Sequence, residues 1–242
     1  MFDKAQDNYR QINRYIEILS ALIRELDDKQ IKSVVNMGSG KGYLTFALYD
    51  YLYNVLQMDT QVVGVEYRED LVNLCEGIAK RAGFSKLNFV QGTIGDYQLD
   101  NMDLLIALHA CDTATDDAIF KGIMANASLI VVAPCCHKQI RREMEKNKVN
   151  NSVSFLTKYG IFLERQAEMV TDGIRALVLE YFGYKTKVFE FISDVHTPKN
   201  ILVVGIKGRV NQKRREEIKG MIRQVKSEFG ISEQHLEKLL GI

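Results

Sequence analysis

Along residues 1–30 the apolar positions recur at helical spacing: Ile12, Ile16, Leu19, Ile23 and Leu26 fall four and three apart and make one stripe. The spacing predicts a long amphipathic helix laid against the sheet domain or over a ligand pocket; Tyr9 and Tyr15 could line that pocket, but packing is the better reading. The pattern then changes period. Short apolar, largely β-branched runs at about Ser33–Met37, Gln61–Glu66, Lys86–Gln91, Asp103–Leu108 and Ser128–Ala133 read as buried strands. Helical segments separate them, at about Lys41–Leu56, at Glu69–Ala82 before the stop signal Gly83, and at Thr115–Gly122. Strand and helix alternating in this way predict an α/β fold with a doubly wound, parallel sheet.

The second half is less regular. A charged run spans Lys138–Lys148, and helical stretches follow at about Ser152–Tyr159 and Glu164–Phe182, ending at Gly160 and Gly183. Tyr184–Ile192 and Asn200–Ile206 read as sixth and seventh strands. Beyond Gly208, the stripe Ile218, Ile222, Val225 and Phe229 predicts a helix broken by Gly230, and Ser232 is placed to cap a last short helix carrying Leu236, Leu239 and Leu240. The expected organisation is a helical segment over residues 1–30, a core domain over 31–208 and a helical extension over 209–242.

Composition narrows the class without naming a function. A chain of 242 residues with 46% apolar and 26% charged positions can bury a substantial core. The net charge is only +1, so no global field recruits nucleic acid, although Lys207–Ile242 alone carries nine Lys/Arg against five Glu. No apolar run reaches membrane-spanning length and the N-terminus has no signal-peptide pattern, so no membrane partner is expected. Four cysteines, Cys75, Cys111, Cys135 and Cys136, make a poor disulfide framework and point to reduced thiols in a cytoplasmic protein.

The candidate chemistry gathers at strand ends. Between the first strand and the following helix stands Asn36-Met37-Gly38-Ser39-Gly40-Lys41-Gly42, where Gly38, Gly40 and Gly42 allow a sharp turn and close backbone approach to a ligand. The helix that starts there points unpaired N–H groups at the same place, which suits an anionic group. The second strand ends in Glu66, where dinucleotide folds use a carboxylate to hold ribose hydroxyls. The spacing is G-x-G-x-G, not the G-x-G-x-x-G of nicotinamide binders.

On these residues the chain resembles the class I S-adenosylmethionine-dependent methyltransferases over about residues 31–206. The resemblance implies a Rossmann-like, seven-stranded sheet closed by a hairpin of the sixth and seventh strands, and S-adenosylmethionine as cofactor. It places Asn36, Gly38, Gly40 and Gly42 at the methionine end, Glu66 at the ribose, Thr93 and Ile94 on the adenine side, and Ser39, Tyr67 and Leu108 among the other cofactor-binding residues. Asn36 stands where the family usually has an acidic residue, and Thr93 near where it often has Asp, with Asp96 slightly beyond. Leu108-His109-Ala110-Cys111-Asp112, Ala133-Pro134-Cys135-Cys136-His137, Asp172, Arg175 and Thr197-Pro198-Lys199-Asn200 look like a smaller group. That group includes the methyltransferase domain fused to glutathione-transferase-like sequences, and it is similar to tRNA ribose 2′-O-methyltransferases with a Cys-Cys-His element.

His109 and His137, at the ends of adjacent strands, read either as a base or orienting donor for the acceptor or as hydrogen-bonded structural histidines. Asp112 pairs with one of them or caps the helix it precedes. The acceptor is expected between His109 and Pro134-Cys135-Cys136-His137, with Lys138, Arg141 and Arg142 at its rim. No metal is expected, because neighbours on an extended chain point to opposite sides and no C-x-x-C pair exists. RNA ranks first as acceptor and protein second. The alternatives are a non-catalytic S-adenosylmethionine-binding module and a nicotinamide-dependent oxidoreductase.

Overall fold

The computed structural model describes residues 2–26, 30–97, 101–108, 110–147, 154–191 and 200–242, with the side chains of all of these except 2–8 and Leu156. His109 and residues 192–199, Thr197, Pro198 and Lys199 among them, lie outside the described residues.

The element order is α1 (Phe2–Arg24), β1 (Ser33–Met37), α2 (Tyr43–Asp50) continued by a π-type turn (Tyr51–Val55), β2 (Gln61–Glu66), α3 (Glu69–Arg81), β3 (Leu87–Gln91), β4 (Leu104–Leu108), α4 (Thr113–Met124), β5 (Leu129–Ala133), α5 (Lys138–Asn147), α6 (Ser154–Thr157), α7 (Gly160–Tyr181), β6 (Tyr184–Glu190), β7 (Ile201–Lys207), α8 (Gln212–Phe229) and α9 (His235–Leu240). The sheet runs β3-β2-β1-β4-β5-β7-β6. The first five strands pair in parallel and β7 lies antiparallel between β5 and β6. The chain order reverses between β1 and β4, which is where ligands of open α/β sheets bind.

Burial follows the strand pattern. Every residue of β4 and β5 is buried, as a strand covered by helices on both faces requires. One face packs against α1, α2 and α3, the other against α4, α5, α7, α8 and α9. Register matters at Gly64 of β2, which pairs with Asn36 of β1. A Cβ there would come within 2.6 Å of the Phe89 ring, so only glycine lets β2 and that ring share the space.

The C-terminal half of α1 and the turn after it are pinned from Tyr15 to Glu25. The Tyr15 ring packs at a 30° tilt against Phe191 with ring centroids 4.5 Å apart, Ser20 Oγ and the Tyr51 hydroxyl lie 2.6 Å apart, and Lys187 meets Glu25 at 2.6 Å. The C-terminal helices belong to the second core layer, where Ile218, Ile222 and Leu236 are buried among residues of α4 and α7. Gly230 ends α8 in the left-handed region, as its place in the sequence predicts. The cap of α9 is Gln234, whose side chain accepts from Glu237 N; Ser232 instead bonds Glu143 through its amide and hydroxyl.

Candidate functional site

The glycine loop between β1 and α2 is turned by left-handed residues. Gly40 has φ +57° and Gly42, the residue before α2, has φ +72°, a region that costs residues with a Cβ. At Gly42 a side chain would also meet Phe46, Phe89 and Cys75 at 3.0–3.1 Å. At Gly40 an added Cβ would find no atom within 4 Å, so the loop keeps open space before it. Because Gly42 is left-handed, α2 begins at Tyr43, not at Lys41 where periodicity put it.

Glu66 closes the loop from the end of β2. Its Oε2 accepts from Gly40 N at 2.8 Å, while Oε1 accepts from Arg68 N at 3.1 Å and Arg68 Nε at 3.2 Å. Burial by itself would raise its pKa; the amides of Arg68 and Gly40 and the Arg68 guanidinium outweigh that and hold it below the usual carboxylate value. An ionised carboxylate offers about four acceptor sites, so three donors leave room for a ligand hydroxyl.

Before the loop lies a cavity of about 210 Å³ lined from two directions. Asn36, Gly38, Ser39, Lys41 and Leu108 come from the sheet side, and Gln11, Ile12 and Tyr15 come from α1. Asn36 is buried and donates Nδ2–H to Thr45 Oγ1 at 2.8 Å, which leaves its Oδ1 as the acceptor it can offer. Two other lining groups are buried without a hydrogen-bond partner, the Tyr15 hydroxyl and Ser39 Oγ. Buried hydroxyls are rarely left that way unless a ligand or water completes them. Burial also pushes the Tyr15 hydroxyl pKa up, so it stays a neutral donor. For Tyr15 the sequence offers packing first and a pocket role second; it both packs and lines the cavity. Tyr9, by contrast, is 67% exposed.

The remaining ribose and adenine candidates sit on nearby strand ends. Tyr67 is exposed and its carbonyl accepts from Gln91 Nε2 at 3.3 Å. Thr93 and Asp96 form one unit: the Thr93 hydroxyl donates to Asp96 Oδ2 at 2.6 Å and accepts from Asp96 N at 3.1 Å. Ile94 packs partly buried against the second core layer.

At the ends of β4 and β5 the candidates divide. His137 is buried, with Nε2 3.1 Å from Asp172 Oδ1. Asp172 also accepts from Arg175 Nη1 at 3.0 Å, and Arg175, wholly buried, donates to Asp116 Oδ1 at 2.8 Å and to the Asp112 carbonyl at 2.8 Å. Gln234 joins from the C-terminal extension, donating to Asp116 Oδ1 at 3.1 Å. Burial would lower the Arg175 pKa, but Asp116 and then Asp172 more than restore it. His137 is therefore placed to hold β5's loop to α7, a positioning role, and its ring is turned into the fold.

Asp112 does not cap the helix it precedes. Its Oδ1 accepts from Gln139 N at 3.1 Å and so caps α5, with its own backbone at φ +55°. That conformation is costly for a non-glycine residue, and the bonds from Arg175 and Gln139 hold it. Along α5, Lys138 and Arg142 are exposed, whereas Arg141 Nε meets Glu164 Oε2 at 2.8 Å. Pro134 is buried, and Cys135 and Cys136 are half-buried beside the exposed Cys111.

The expectation that Cys135 and Cys136 face apart does not hold. Their sulfurs lie 3.8 Å from each other, and Cys111 Sγ lies 3.0 Å from Cys135 Sγ. The alternation rule belongs to extended strands, and β5 ends at Ala133, before either cysteine.

A family model described as a methyltransferase domain matches residues 7–143. The chain is 24% identical over 225 residues to the glutathione S-transferase C-terminal domain-containing protein of Homo sapiens, covering 84% of this chain but only 34% of that protein's length. It is 32% identical over 104 residues to the protein-lysine N-methyltransferase EFM4 of Saccharomyces cerevisiae, 41% of each chain. Among solved structures, the plantazolicin methyltransferase BpumL in complex with SAH matches with a TM-score of 0.50 at 14% identity, covering 86% of this chain and 90% of that one. At that identity the likeness is one of fold.

Proposed function

The chain belongs to the methyltransferase-domain family, with S-adenosylmethionine as its cofactor, and we propose that it transfers the cofactor's methyl group to a nucleophile of RNA. The residues at the switch point suit that cofactor: a glycine loop with open space, a buried carboxylate with an acceptor site to spare, and two buried hydroxyls without partners. Gly38, Gly40 and Gly42 would admit the methionine end, with Asn36, Ser39 and Tyr15 as its polar contacts, and Glu66 would hold the ribose hydroxyls. S-adenosylmethionine supplies a methyl on a positively charged sulfur, ready for in-line displacement. What this chain contributes is position, which supplies much of the rate in such a transfer.

The observation that carries RNA is the basic face of α5. The helix starts at the carboxyl end of β5 and exposes Lys138, Arg142 and Lys146. A row of cations leading to the acceptor end of the sheet suits a phosphate backbone. Neither family membership nor the glycine spacing favours a nicotinamide-dependent reaction. A protein lysine is the second reading, favoured by the identity to the yeast enzyme over part of the chain. Among the described residues no helix is long and apolar enough to cross a membrane.

The deciding experiment is transfer of labelled methyl from S-adenosylmethionine to separated RNA, protein and small-molecule pools. Label in RNA supports the proposal. Label in protein alone moves the acceptor to lysine, and binding of the cofactor without transfer to any pool returns the chain to a binding module.

A further inference from the structure

Three thiols converge where β4 and β5 end. Cys111 Sγ lies 3.0 Å from Cys135 Sγ, Cys135 Sγ lies 3.8 Å from Cys136 Sγ, and all three sulfurs fall within 4.8 Å of one another. Among the described residues this is the one such convergence of Cys, His, Asp or Glu side chains. We propose that Cys111, Cys135 and Cys136 bind a zinc ion through three thiolates, with water in the fourth position.

Geometry separates this from the other uses of a thiol. A cysteine that serves only as a small apolar side chain is buried, but Cys111 is exposed and solvent reaches the cluster through it. A disulfide would use two sulfurs and leave the third unexplained. Zinc–sulfur bonds of about 2.3 Å at tetrahedral angles put sulfurs about 3.8 Å apart. The Cys135–Cys136 pair already has that separation, and the Cys111–Cys135 pair needs only to open slightly. Three thiolates are a soft set, which favours zinc over magnesium or calcium, and three protein ligands with one open position is a common zinc arrangement.

The surroundings hold the ligands in place. Cys111 precedes Asp112, whose left-handed backbone is fixed by Arg175 at its carbonyl and by the α5 amide at its carboxylate. Cys136 precedes His137, which Asp172 secures from α7. Both sulfur-bearing loops are thus tied to the same buried network. Burial, and then the adjacent Cys111 and Cys136, push the Cys135 thiol pKa up. A bound dication reverses this, because a coordinating thiol gives up its proton. Three S–H bonds break, three S–Zn bonds form and three protons pass to solvent, leaving the site with a net charge of −1.

The test uses the full chain, purified without a metal-affinity tag, reduced and stripped with chelator. Titration with Zn2+ against a chromophoric competitor should give one ion per chain and three protons released. Titration with Co2+ should produce a thiolate-to-cobalt charge-transfer band and the strong visible bands of a tetrahedral site. Cys135→Ser should weaken Zn2+ binding at least tenfold, with S-adenosylmethionine binding as the check that the variant is folded. Cys111→Ser, at the exposed position, serves if it is not. Cys75→Ser, whose thiol lies beside Gly40, should keep the metal. Reduced protein that gives no cobalt charge-transfer band overturns the proposal. So does a chain that, handled without reductant, loses two hydrogens by mass and carries no metal, which would identify Cys111 and Cys135 as a disulfide pair.

Discussion

The Glu66 carboxylate accepts the Gly40 amide at 2.8 Å, so two features 26 residues apart in sequence are one piece of structure. The carboxylate at the end of β2 shapes the glycine loop and, in the function proposed, would also hold the ribose. Glu66→Ala should therefore lower S-adenosylmethionine affinity by about 1.5–3 kcal/mol, the worth of a charge-assisted hydrogen bond. It should also lower the melting temperature of the free protein, since Gly40 N loses its acceptor. The pH dependence has a definite sign. Its pKa is lowered in the fold, so the stabilisation is complete above the unfolded carboxylate value and vanishes as pH falls through the folded one. Melts of wild type and variant should differ at neutral pH and converge in acid. Equal affinities by calorimetry would remove Glu66 from the site.

Tyr15 separates packing from binding. Its ring packs at a tilt against Phe191, while its hydroxyl is buried without a partner beside the cavity. Tyr15→Phe removes only the unsatisfied group, so the free protein should be as stable or more so, while S-adenosylmethionine affinity falls by about 0.5–1.5 kcal/mol, roughly two- to twelvefold. Tyr15→Ala removes the ring as well and should cost about 3–5 kcal/mol of stability. Denaturant unfolding and calorimetry on both variants check the contrast. If Tyr15→Phe binds as tightly as wild type, the hydroxyl has no part in the site.

What the sequence told follows from how local each signal is. Strands β4 and β5 are continuous apolar runs and β1 and β2 are short, valine-rich ones, and the runs locate all four to within a residue. The glycine loop and Glu66 announce themselves through residue types that few other roles demand. Tyr15 can be raised from the sequence as a pocket residue but not ranked above packing, because the cavity exists only once α1 lies across the loop. Asp112 looks like the cap of its own helix, and only the fold shows that it caps α5. The cysteine cluster was hidden by a correct rule carried past its range, since the strand had already ended. Gln234 was missed because serine is the stronger capping residue, yet Glu143 had already engaged Ser232.

Arg175 joins four parts of the chain that are distant in sequence: the end of β4 through Asp112, α4 through Asp116, α7 through Asp172, and α9 through Gln234 on Asp116. Removing one partner of a buried ion group strands the others. Arg175→Met should cost about 3–5 kcal/mol, because it leaves the buried carboxyl groups of Asp116 and Asp172 without their cation. Adding Asp116→Asn and Asp172→Asn should recover part of that loss, so the three substitutions should be clearly non-additive. Urea unfolding of the single and triple variants measures it. A loss under 1 kcal/mol for Arg175→Met, or strict additivity, would show that the network does not act as a unit.

The basic face of α5 allows a prediction in which one cation serves as the control for the rest. Lys138, Arg142 and Lys146 are exposed, but Arg141 is already paired with Glu164 at 2.8 Å. If RNA lies along this helix, each exposed cation that meets a phosphate releases a counterion on binding. Replacing all three with alanine should weaken RNA binding across sequences. It should also lower the slope of log affinity against log salt by up to about two, at about 0.7 per single-strand contact. Arg141→Ala should do less, since an arginine engaged with Glu164 must give up that partner before it can serve a phosphate. Cofactor affinity should not change in either variant, because α5 contributes no residue to the cavity before the glycine loop. Filter binding across a salt series, with calorimetry for S-adenosylmethionine alongside, reads both quantities. A triple variant with the wild-type salt slope would take RNA off this face and make a protein lysine the leading acceptor. An Arg141→Ala effect as large as the triple variant's would mean that the Glu164 pair opens on binding and that the contact surface is centred on α7.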